Sequence, residues 1–330
     1  MEKKLTIVYH LYQSHDRTRE SIVSLLSQSD KNFNIICILD NIDDEIKSIL
    51  NDKEIVQLIL ANTVSCMVVD KTLGHSWCFN QAYNMIQTPY VYFCANTQAT
   101  SIFDANFVKE INEKLATCDP DLILFNFSEE TLEHFMNLTQ KQDEFHYYLT
   151  FFQSYLNKVL KMEFLKKHNI KFCEFKNYTH YIVYDIVSHY PFIEQIPKIL
   201  ITMYFNKHPG YNIYDVLTQF KKIYSECKDS PFFIQFKDSI EYMFIRTTLF
   251  TFIHYMYINL YKTNKKAFEL SIEKAIEYID RYAPNWKQNK YLNSKETLDR
   301  PAIREYLQHF DGDIRMIAEE MEKLEKENAW

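Results

Sequence analysis

The sequence predicts an α/β fold in which a mostly parallel sheet is followed by an all-helical C-terminal region. Short apolar runs rich in β-branched and aromatic residues alternate with amphipathic stretches over roughly residues 1–126 of the 330-residue chain, which indicates alternating strands and helices. The run FNIICIL at 33–39 is almost continuously apolar, as parallel strands buried on both faces are. From about residue 211 onward, the apolar spacing indicates helices alone.

The individual elements follow from these patterns in chain order. In the first part we predict strands at 5–10, 33–39, 66–69, 90–95 and 121–125. The helices of that part are predicted at 17–28, 43–60, 74–86 and 103–116. Beyond residue 128 we predict helices at 144–160, 162–168 and 181–190 and one more strand at 196–204. The C-terminal helices are predicted at 213–224, 232–261, 266–282, 301–309 and 313–328.

Composition excludes several classes of function. A formal net charge of −7 argues against a general nucleic-acid-binding surface. With only three glycines, the chain cannot build a glycine-rich phosphate loop. The seven cysteines are scattered and form no CxxC pair. They therefore indicate reduced core thiols, since a disulfide framework or a zinc site would favour closer spacing.

The sequence also favours a cytoplasmic protein. Met1-Glu2-Lys3-Lys4 leads directly into the first predicted strand, so we expect no signal peptide. The most apolar C-terminal run, 244–261, contains Arg246, His254 and Asn259. It is too short and too polar for a membrane span. A buried helix is the favoured interpretation, with a helix at the inner membrane surface as the alternative.

One polar patch marks a candidate site. The segment YVYFCANTQAT at 90–100 begins as a buried strand and turns polar at Asn96, Thr97 and Gln98. In open α/β sheets the ligand crevice lies outside the carboxyl ends of the strands. This patch is therefore a candidate binding site, although it carries no charge.

Five segments, in order, resemble family 2 glycosyltransferases. HLYQ at 10–13, with SIVSLLSQ at 21–28, resembles their P-x-Y-N turn and the helix after it. FNIICILDNIDDE at 33–45 resembles their strand ending in paired aspartates. LGHSWCFNQAYNMIQTPYVYF at 73–93 is similar to their G-x-x-x-A-x-N-x-A segment. YLNKVLKMEFLKKHNIKF at 155–172 and ITMYFN at 201–206 resemble two later segments on the acceptor side.

The resemblance implies a GT-A type fold, with a Rossmann-like sheet that binds a nucleotide sugar. It implies one domain over 1–210, with a nucleotide half at 1–126 and an acceptor half at 127–210, followed by a helical domain at 211–330. The implied activity is inverting transfer of a sugar, with UDP as the expected carrier, to a glycan or glycolipid such as a bacterial surface glycan. Three alternative roles stay open for the C-terminal helices: acceptor recognition, homo-oligomer contact or peripheral membrane contact.

The same resemblance assigns donor-binding residues. His10 and Gly74 lie within the matching segments. Asp40 matches the family aspartate that contacts uracil, and Leu39 replaces its first partner. A carboxylate there can accept a base N–H in a charge-assisted hydrogen bond, whereas the alternative is a turn or helix-capping carboxylate. Tyr12 matches the tyrosine that packs on the nucleotide ring, with an ordinary core tyrosine as the alternative.

The family's metal motif is missing. Its D-x-D positions read Ala95-Asn96-Thr97, and the next acidic residue is Asp104. Because Mg²⁺ and Mn²⁺ prefer carboxylate oxygens, we expect no tight divalent-metal site at this position. Asn96 and Thr97 would still lie beside the diphosphate of the donor. Its charge would then be offset by Lys71, His75 or Arg19, unless these are ordinary solvated residues.

The catalytic base is also altered. The family's E-D pair falls on Thr179-His180. A histidine can take the acceptor proton at neutral pH, so His180 is a candidate base, and Asp185 is a second candidate if the register slips. The alternative is a helix-capping threonine followed by a non-catalytic histidine. Two readings stay open: an active, metal-independent glycosyltransferase, or a degenerate fold that binds a nucleotide or a partner protein without turnover.

Overall fold

The computed structural model describes residues 2–97, 99–129, 132–134, 148, 154–173, 179–205, 214–294 and 301–326. The chain forms two compact units: Met1–Asn137 with Phe152–Tyr211, and Leu138–Phe151 with Asn212–Trp330. The first unit contains the sheet, and the second is helical in its described part.

The sheet of the first unit has nine strands among the described residues. In chain order they are β1 Leu5–Leu11, β2 Phe33–Asp40, β3 Val64–Val69, β4 Tyr90–Ala95, β5 Ala99–Phe103, β6 Leu122–Glu129, β7 Leu132–His134, β8 Lys158–Lys161 and β9 Ile193–Phe205. Their spatial order is β3-β2-β1-β4-β8-β6-β9-β5, with β7 paired to β6. The predicted α/β class is confirmed. The sheet is mixed, because β1 to β4 and the pair β6–β9 are parallel, whereas the pairs β4–β8, β6–β8, β6–β7 and β5–β9 are antiparallel.

The parallel centre of the sheet forms where the sequence is most apolar. β1 pairs in parallel with β2 and with β4, so Leu5 lies between Phe33 and Tyr90. Every residue of β1 and of β4 is buried. The carboxyl ends of β1, β2, β3 and β4 therefore meet at one edge of the sheet, which we call the carboxyl edge.

Helices cover the sheet. Those of the first unit are α1 Thr18–Leu26, α2 Asp44–Leu50, α3 Lys53–Leu60, α4 His75–Ala82, α5 Phe107–Thr117, α6 Met162–Lys167 and α7 His180–Ser188. In α1 the buried face carries Ile22, Leu25 and Leu26, as its spacing predicts. Gly74 precedes α4 with φ 84°, a left-handed conformation that favours glycine.

Three strands, β5, β7 and β8, were not predicted. The predicted helix 144–160 is wrong at its end, because Lys158–Lys161 is strand β8, antiparallel to both β4 and β6. Val159 and Leu160 are fully buried there, and a four-residue apolar run cannot be assigned to strand or helix by its spacing. Residues 144–147 and 149–153 of that prediction lie outside the described residues. The predicted helix at 103 begins at Phe107 instead, because Ala99–Phe103 pairs with β9.

The second unit is helical. Its helices are α8 Tyr214–Glu226, α9 Pro231–Gln235, α10 Lys237–Arg246, α11 Ile253–Met256, α12 Lys265–Tyr282, α13 Pro301–His309 and α14 Ile314–Lys326. The predicted single helix 232–261 is divided, with π-helical turns at Thr247–Phe252 and Tyr257–Tyr261. Across the described residues, no helix combines the length and the apolar character that crossing a membrane requires.

Candidate functional site

The order of the strands places a crevice at the carboxyl edge. The chain leaves β1 towards β2 and β3 and then returns to form β4 on the other side of β1. Such a reversal of strand order is a topological switch point, and α/β sheets bind ligands outside the carboxyl ends of the two strands that flank it. Here these ends are Leu11 and Ala95, so the loops that follow them form the candidate site.

Asn96 joins the two loops at this switch point. Its carboxamide oxygen accepts a hydrogen bond from the Tyr12 amide at 3.2 Å, and its Nδ2 donates to the Gln13 carbonyl at 3.1 Å. The Asn96 amide also donates to the His10 carbonyl. Asn96 is 1% exposed, so its side chain is a brace that fixes the loop after β1. The half-buried side chains of Tyr12 and Thr97 flank it.

A second brace joins the loops after β1 and β2. Asp43 accepts hydrogen bonds from the Ser14 amide at 2.7 Å and from the Ser14 hydroxyl at 2.8 Å. The same side chain caps α2 by accepting from the Ile46 amide. Burial tends to raise the pKa of Asp43, but these hydrogen bonds hold that pKa below its usual value. The loop after β1 is thus fixed on both sides.

Beneath these loops lies a buried polar group of residues, His10, Asp40, His75 and Cys78, which we call the strand-end cluster. His10 Nε2 lies 3.0 Å from Asp40 Oδ2, and Cys78 Sγ lies 3.7 Å from the same oxygen. Each of the four residues is at most 1% exposed. Burial, together with the Asp40 carboxylate, raises the pKa of the Cys78 thiol to about 12. Without a bound cation Cys78 is therefore a thiol and no nucleophile.

His75 completes the cluster at the first residue of α4. Its ring packs against Phe79 and Tyr155, with centroid distances of 5.5 and 5.8 Å. Burial, and then the neighbouring His10, lower the pKa of His75 to about 3. The imidazole is therefore neutral near pH 7 and cannot supply the positive charge that the sequence predicted for it.

The other predicted donor-binding residues have different surroundings. Lys71 is exposed in the loop after β3 and makes no ion pair among the described residues. Arg19 is paired on the surface, 2.5 Å from Glu54 and 3.6 Å from Asp52. Gly74 immediately precedes α4, whose first turn has no side-chain cap among the described residues. Of the three predicted counter-charges, only Lys71 is both charged and available.

The fold separates the two candidate bases. His180 is the first residue of α7, and α7 ends at Ser188, just before β9 begins beside the first residue of β6. Asp185 lies about 7.5 Å further along the helix axis. Its carboxylate is 3.6 Å from His189 Nε2. Burial raises the pKa of Tyr83, and the Asp185 carboxylate raises that pKa further. Tyr83 follows the far end of α4, so Asp185 is not brought to the switch point.

The D-x-D positions do not fit a hard divalent cation. Ala95 and Asn96 are buried, and the Asn96 oxygen already accepts the Tyr12 amide hydrogen. No carboxylate stands at the three positions, although Mg²⁺ and Mn²⁺ are held by carboxylate oxygens. The expectation that no metal binds there stays a prediction.

Known structures share this architecture. S. aureus TarS 1–349 matches 99% of this chain and 92% of its own with a TM-score of 0.64 and 13% identity. The chain has a GT-A-like glycosyltransferase fold. A longer S. aureus TarS structure matches 97% of this chain and 55% of its own, with a TM-score of 0.59 and 14% identity. No protein-family model matches the sequence, and no curated protein is significantly similar to it.

The third structure carries ligands. The mannosyltransferase PcManGT from Pyrobaculum calidifontis, in complex with GDP-Man and Mn²⁺, matches 100% of this chain and 88% of its own with a TM-score of 0.54 and 11% identity. At these identities the likeness is one of fold.

Sequence reasoning missed Cys78 as a member of the site. The four residues of the strand-end cluster come from β1, β2 and α4, so no short spacing marks them. A local signal did exist, because His75 and Cys78 are three residues apart and thus share one face of a helix.

Proposed function

We propose that this protein is a glycosyltransferase of the family 2 type that binds a nucleotide sugar, with UDP as the favoured carrier, in the crevice between the ends of β1 and β4. It transfers the sugar with inversion to a glycan or glycolipid acceptor. The observation that carries this proposal is the braced switch point, where Asn96 joins the loops after both strands in a fold of the glycosyltransferase type.

Donor binding in this proposal uses the groups that face the crevice. Tyr12 packs on the nucleotide ring, and Thr97 and Gly74 lie beside the diphosphate. Lys71 and the positive end of the α4 dipole offset the phosphate charge, since helix N-termini bind anions. Asp40 is fully buried and its Oδ2 is shared by His10 and Cys78. In the proposal Asp40 positions the ring of His10 beneath the crevice, and its contact with the uracil base stays a prediction.

Catalysis in this proposal requires one proton acceptor. Inverting transfer needs a base that removes the proton of the acceptor hydroxyl as it attacks the anomeric carbon. His180 is the favoured base because it matches the second position of the family's E-D pair and is the first residue of α7. Asp185 is the weaker candidate because its carboxylate lies next to His189.

Thermal unfolding with a panel of nucleotide sugars tests donor binding. UDP or a UDP-sugar is expected to raise the melting temperature, with little further gain from Mn²⁺; GDP-sugars serve as the comparison. Lys71→Ala should weaken UDP binding several-fold, whereas Lys47→Ala, another exposed lysine that is paired with Asp44, should not. If no nucleotide sugar shifts the transition, the donor site is wrong.

A degenerate binding module is the second candidate function. It is favoured by the same Asn96, whose side chain is used to brace a loop where the family places a metal-binding carboxylate. Release of UDP from the bound donor, with and without acceptor glycans, separates the two. Turnover that His180→Ala abolishes supports the enzyme. Binding without any turnover over hours supports the module.

A further inference from the structure

The strand-end cluster concentrates several buried polar atoms without hydrogen-bond partners in one place. Within the described residues, four of its buried atoms have no hydrogen-bond partner: His10 Nδ1, Asp40 Oδ1 and both ring nitrogens of His75. Leaving a buried polar atom unpaired costs about 1–3 kcal/mol. A buried carboxylate is normally paired or bound to a metal. The cluster therefore has the character of a ligand set.

The distances within the cluster agree with a tetrahedral zinc ion. Zinc binds nitrogen and oxygen at about 2.0–2.2 Å and sulfur at about 2.3 Å, which separates neighbouring ligand atoms by about 3.3–3.6 Å. His10 Nε2 and Cys78 Sγ lie 3.0 and 3.7 Å from Asp40 Oδ2. The three ligand atoms all lie within 4.8 Å of one another. The two distances to Asp40 Oδ2 differ from the separations expected of zinc ligands by only a few tenths of an ångström.

Charge balance points to the same ion. A divalent cation with one thiolate, one carboxylate and one neutral imidazole forms a site with no net charge, which suits residues that are at most 1% exposed. Thiolate and imidazole ligands select zinc over Mg²⁺ or Mn²⁺, which prefer oxygen. Binding breaks the S–H bond of Cys78, and its proton passes to solvent.

We propose that the strand-end cluster holds a zinc ion, with His10, Asp40 and Cys78 as its protein ligands. The His75 ring borders this site, with its centroid 6.4 Å from that of His10, and is not one of the three ligands. The ion ties the ends of β1 and β2 to the first turns of α4, below the donor crevice. This site is separate from the D-x-D positions and does not depend on donor binding.

The test begins with the metal content of the full chain. The protein is stripped with a chelator, incubated with Zn²⁺, desalted and analysed for metal. We expect one zinc ion per chain and a higher melting temperature than that of the stripped protein. Co²⁺ substitution should give the near-ultraviolet charge-transfer band of a thiolate–cobalt bond. Failure to retain zinc, or a cobalt spectrum without that band, overturns the proposal.

Variants then locate the ion. Cys78→Ala and Asp40→Asn should lose zinc retention, whereas Cys94→Ala should keep it, because Cys94 is equally buried but lies outside the cluster. Circular dichroism checks that each variant is folded. If Cys78→Ala does not fold, the near-isosteric Asp40→Asn decides together with the wild-type cobalt spectrum. Zinc retained by folded Cys78→Ala or Asp40→Asn overturns the assignment. UDP binding, measured separately, bears only on the proposed function.

Discussion

The polar groups at the two ends of the parallel strands differ in burial and in hydrogen bonding. At the carboxyl edge, the strand-end cluster is buried and four of its atoms are unpaired among the described residues. At the amino edge, Asp119 accepts hydrogen bonds from Tyr90 and Lys161, each at 2.6 Å, and its own side chain is 73% exposed. At the amino edge, the Asp119 carboxylate is therefore both exposed to solvent and hydrogen-bonded. The other retains costly polar groups, which is typical of functional sites.

The largest expected effect comes from separating the pair of His10 and Asp40. His10→Ala removes the imidazole that pairs with the fully buried Asp40 carboxylate, and we expect a loss of about 3 kcal/mol or more in the free energy of unfolding. Lys161→Ala at the amino edge should cost about 1 kcal/mol or less, because its partner Asp119 is exposed. Urea unfolding of both variants measures the difference. Equal losses would remove the contrast between the edges.

The second effect contrasts two lysines of β8 through pH. Burial lowers the pKa of Lys158 to about 7, so this lysine is mostly neutral in the folded protein at pH 9 and charged in the unfolded chain. The unfolded chain then binds more protons between about pH 7 and 10, and stability due to Lys158 should rise by up to about 1.4 kcal/mol per pH unit there.

Replacing the buried lysine should flatten this part of the pH profile. Lys158→Met removes the titrating group, whereas Lys161→Met should leave the slope in place, since a hydrogen bond from Lys161 to Asp119 raises the pKa of Lys161. Unfolding at pH 7, 8 and 9 gives the slopes. A slope that Lys158→Met does not change would contradict the assignment.

The third effect comes from the brace at the switch point. Asn96→Ala leaves the Tyr12 amide and the Gln13 carbonyl without their side-chain partner, and we expect a loss of about 2 kcal/mol. Because the loop after β1 would lose its position, UDP binding should weaken as well. Isothermal titration with UDP, alongside unfolding, measures both. Weaker stability with unchanged UDP affinity would show that the brace has no part in donor binding.

The smallest effect tests the amino edge alone. Tyr90→Phe removes the hydroxyl that donates to Asp119 and to the Pro120 carbonyl at 2.9 Å, at a cost of about 1 kcal/mol. Nucleotide binding should be unchanged, because Tyr90 lies at the opposite end of β4 from Asn96. A change in UDP affinity for this variant would contradict this expectation and show that the amino edge contributes to nucleotide binding.

The sequence was sufficient to predict those strands and helices whose buried residues form one regular pattern along the chain. β1, β2 and β4 follow from their apolar runs, and α1 follows from the spacing of Ile22, Leu25 and Leu26. β8 could not be predicted, because its four residues become a strand only by filling the gap between β4 and β6. β5 was missed because its segment, ATSIF, has a weak apolar pattern.

The candidate site was likewise predictable from the sequence only in part. The switch point at Asn96 could be located from a strand that ends in polar residues. The use of the Asn96 side chain as a brace could not, because its partners lie more than 80 residues away. Cys78 was set aside with the other scattered thiols, since only the fold brings α4 to the ends of β1 and β2.

The late position of β8 in the chain has a consequence for biosynthesis. As the protein leaves the ribosome, β4 is made some 60 residues before the strand that covers its free edge, and between them the chain enters the second unit at Leu138–Phe151. Until Lys158–Lys161 arrives, the nascent sheet presents an apolar, unpaired edge, which is a template for aggregation. A fragment cut after residue 126, at the end of the predicted nucleotide half, would keep that edge permanently. Expression of a donor-binding fragment should therefore extend through β8.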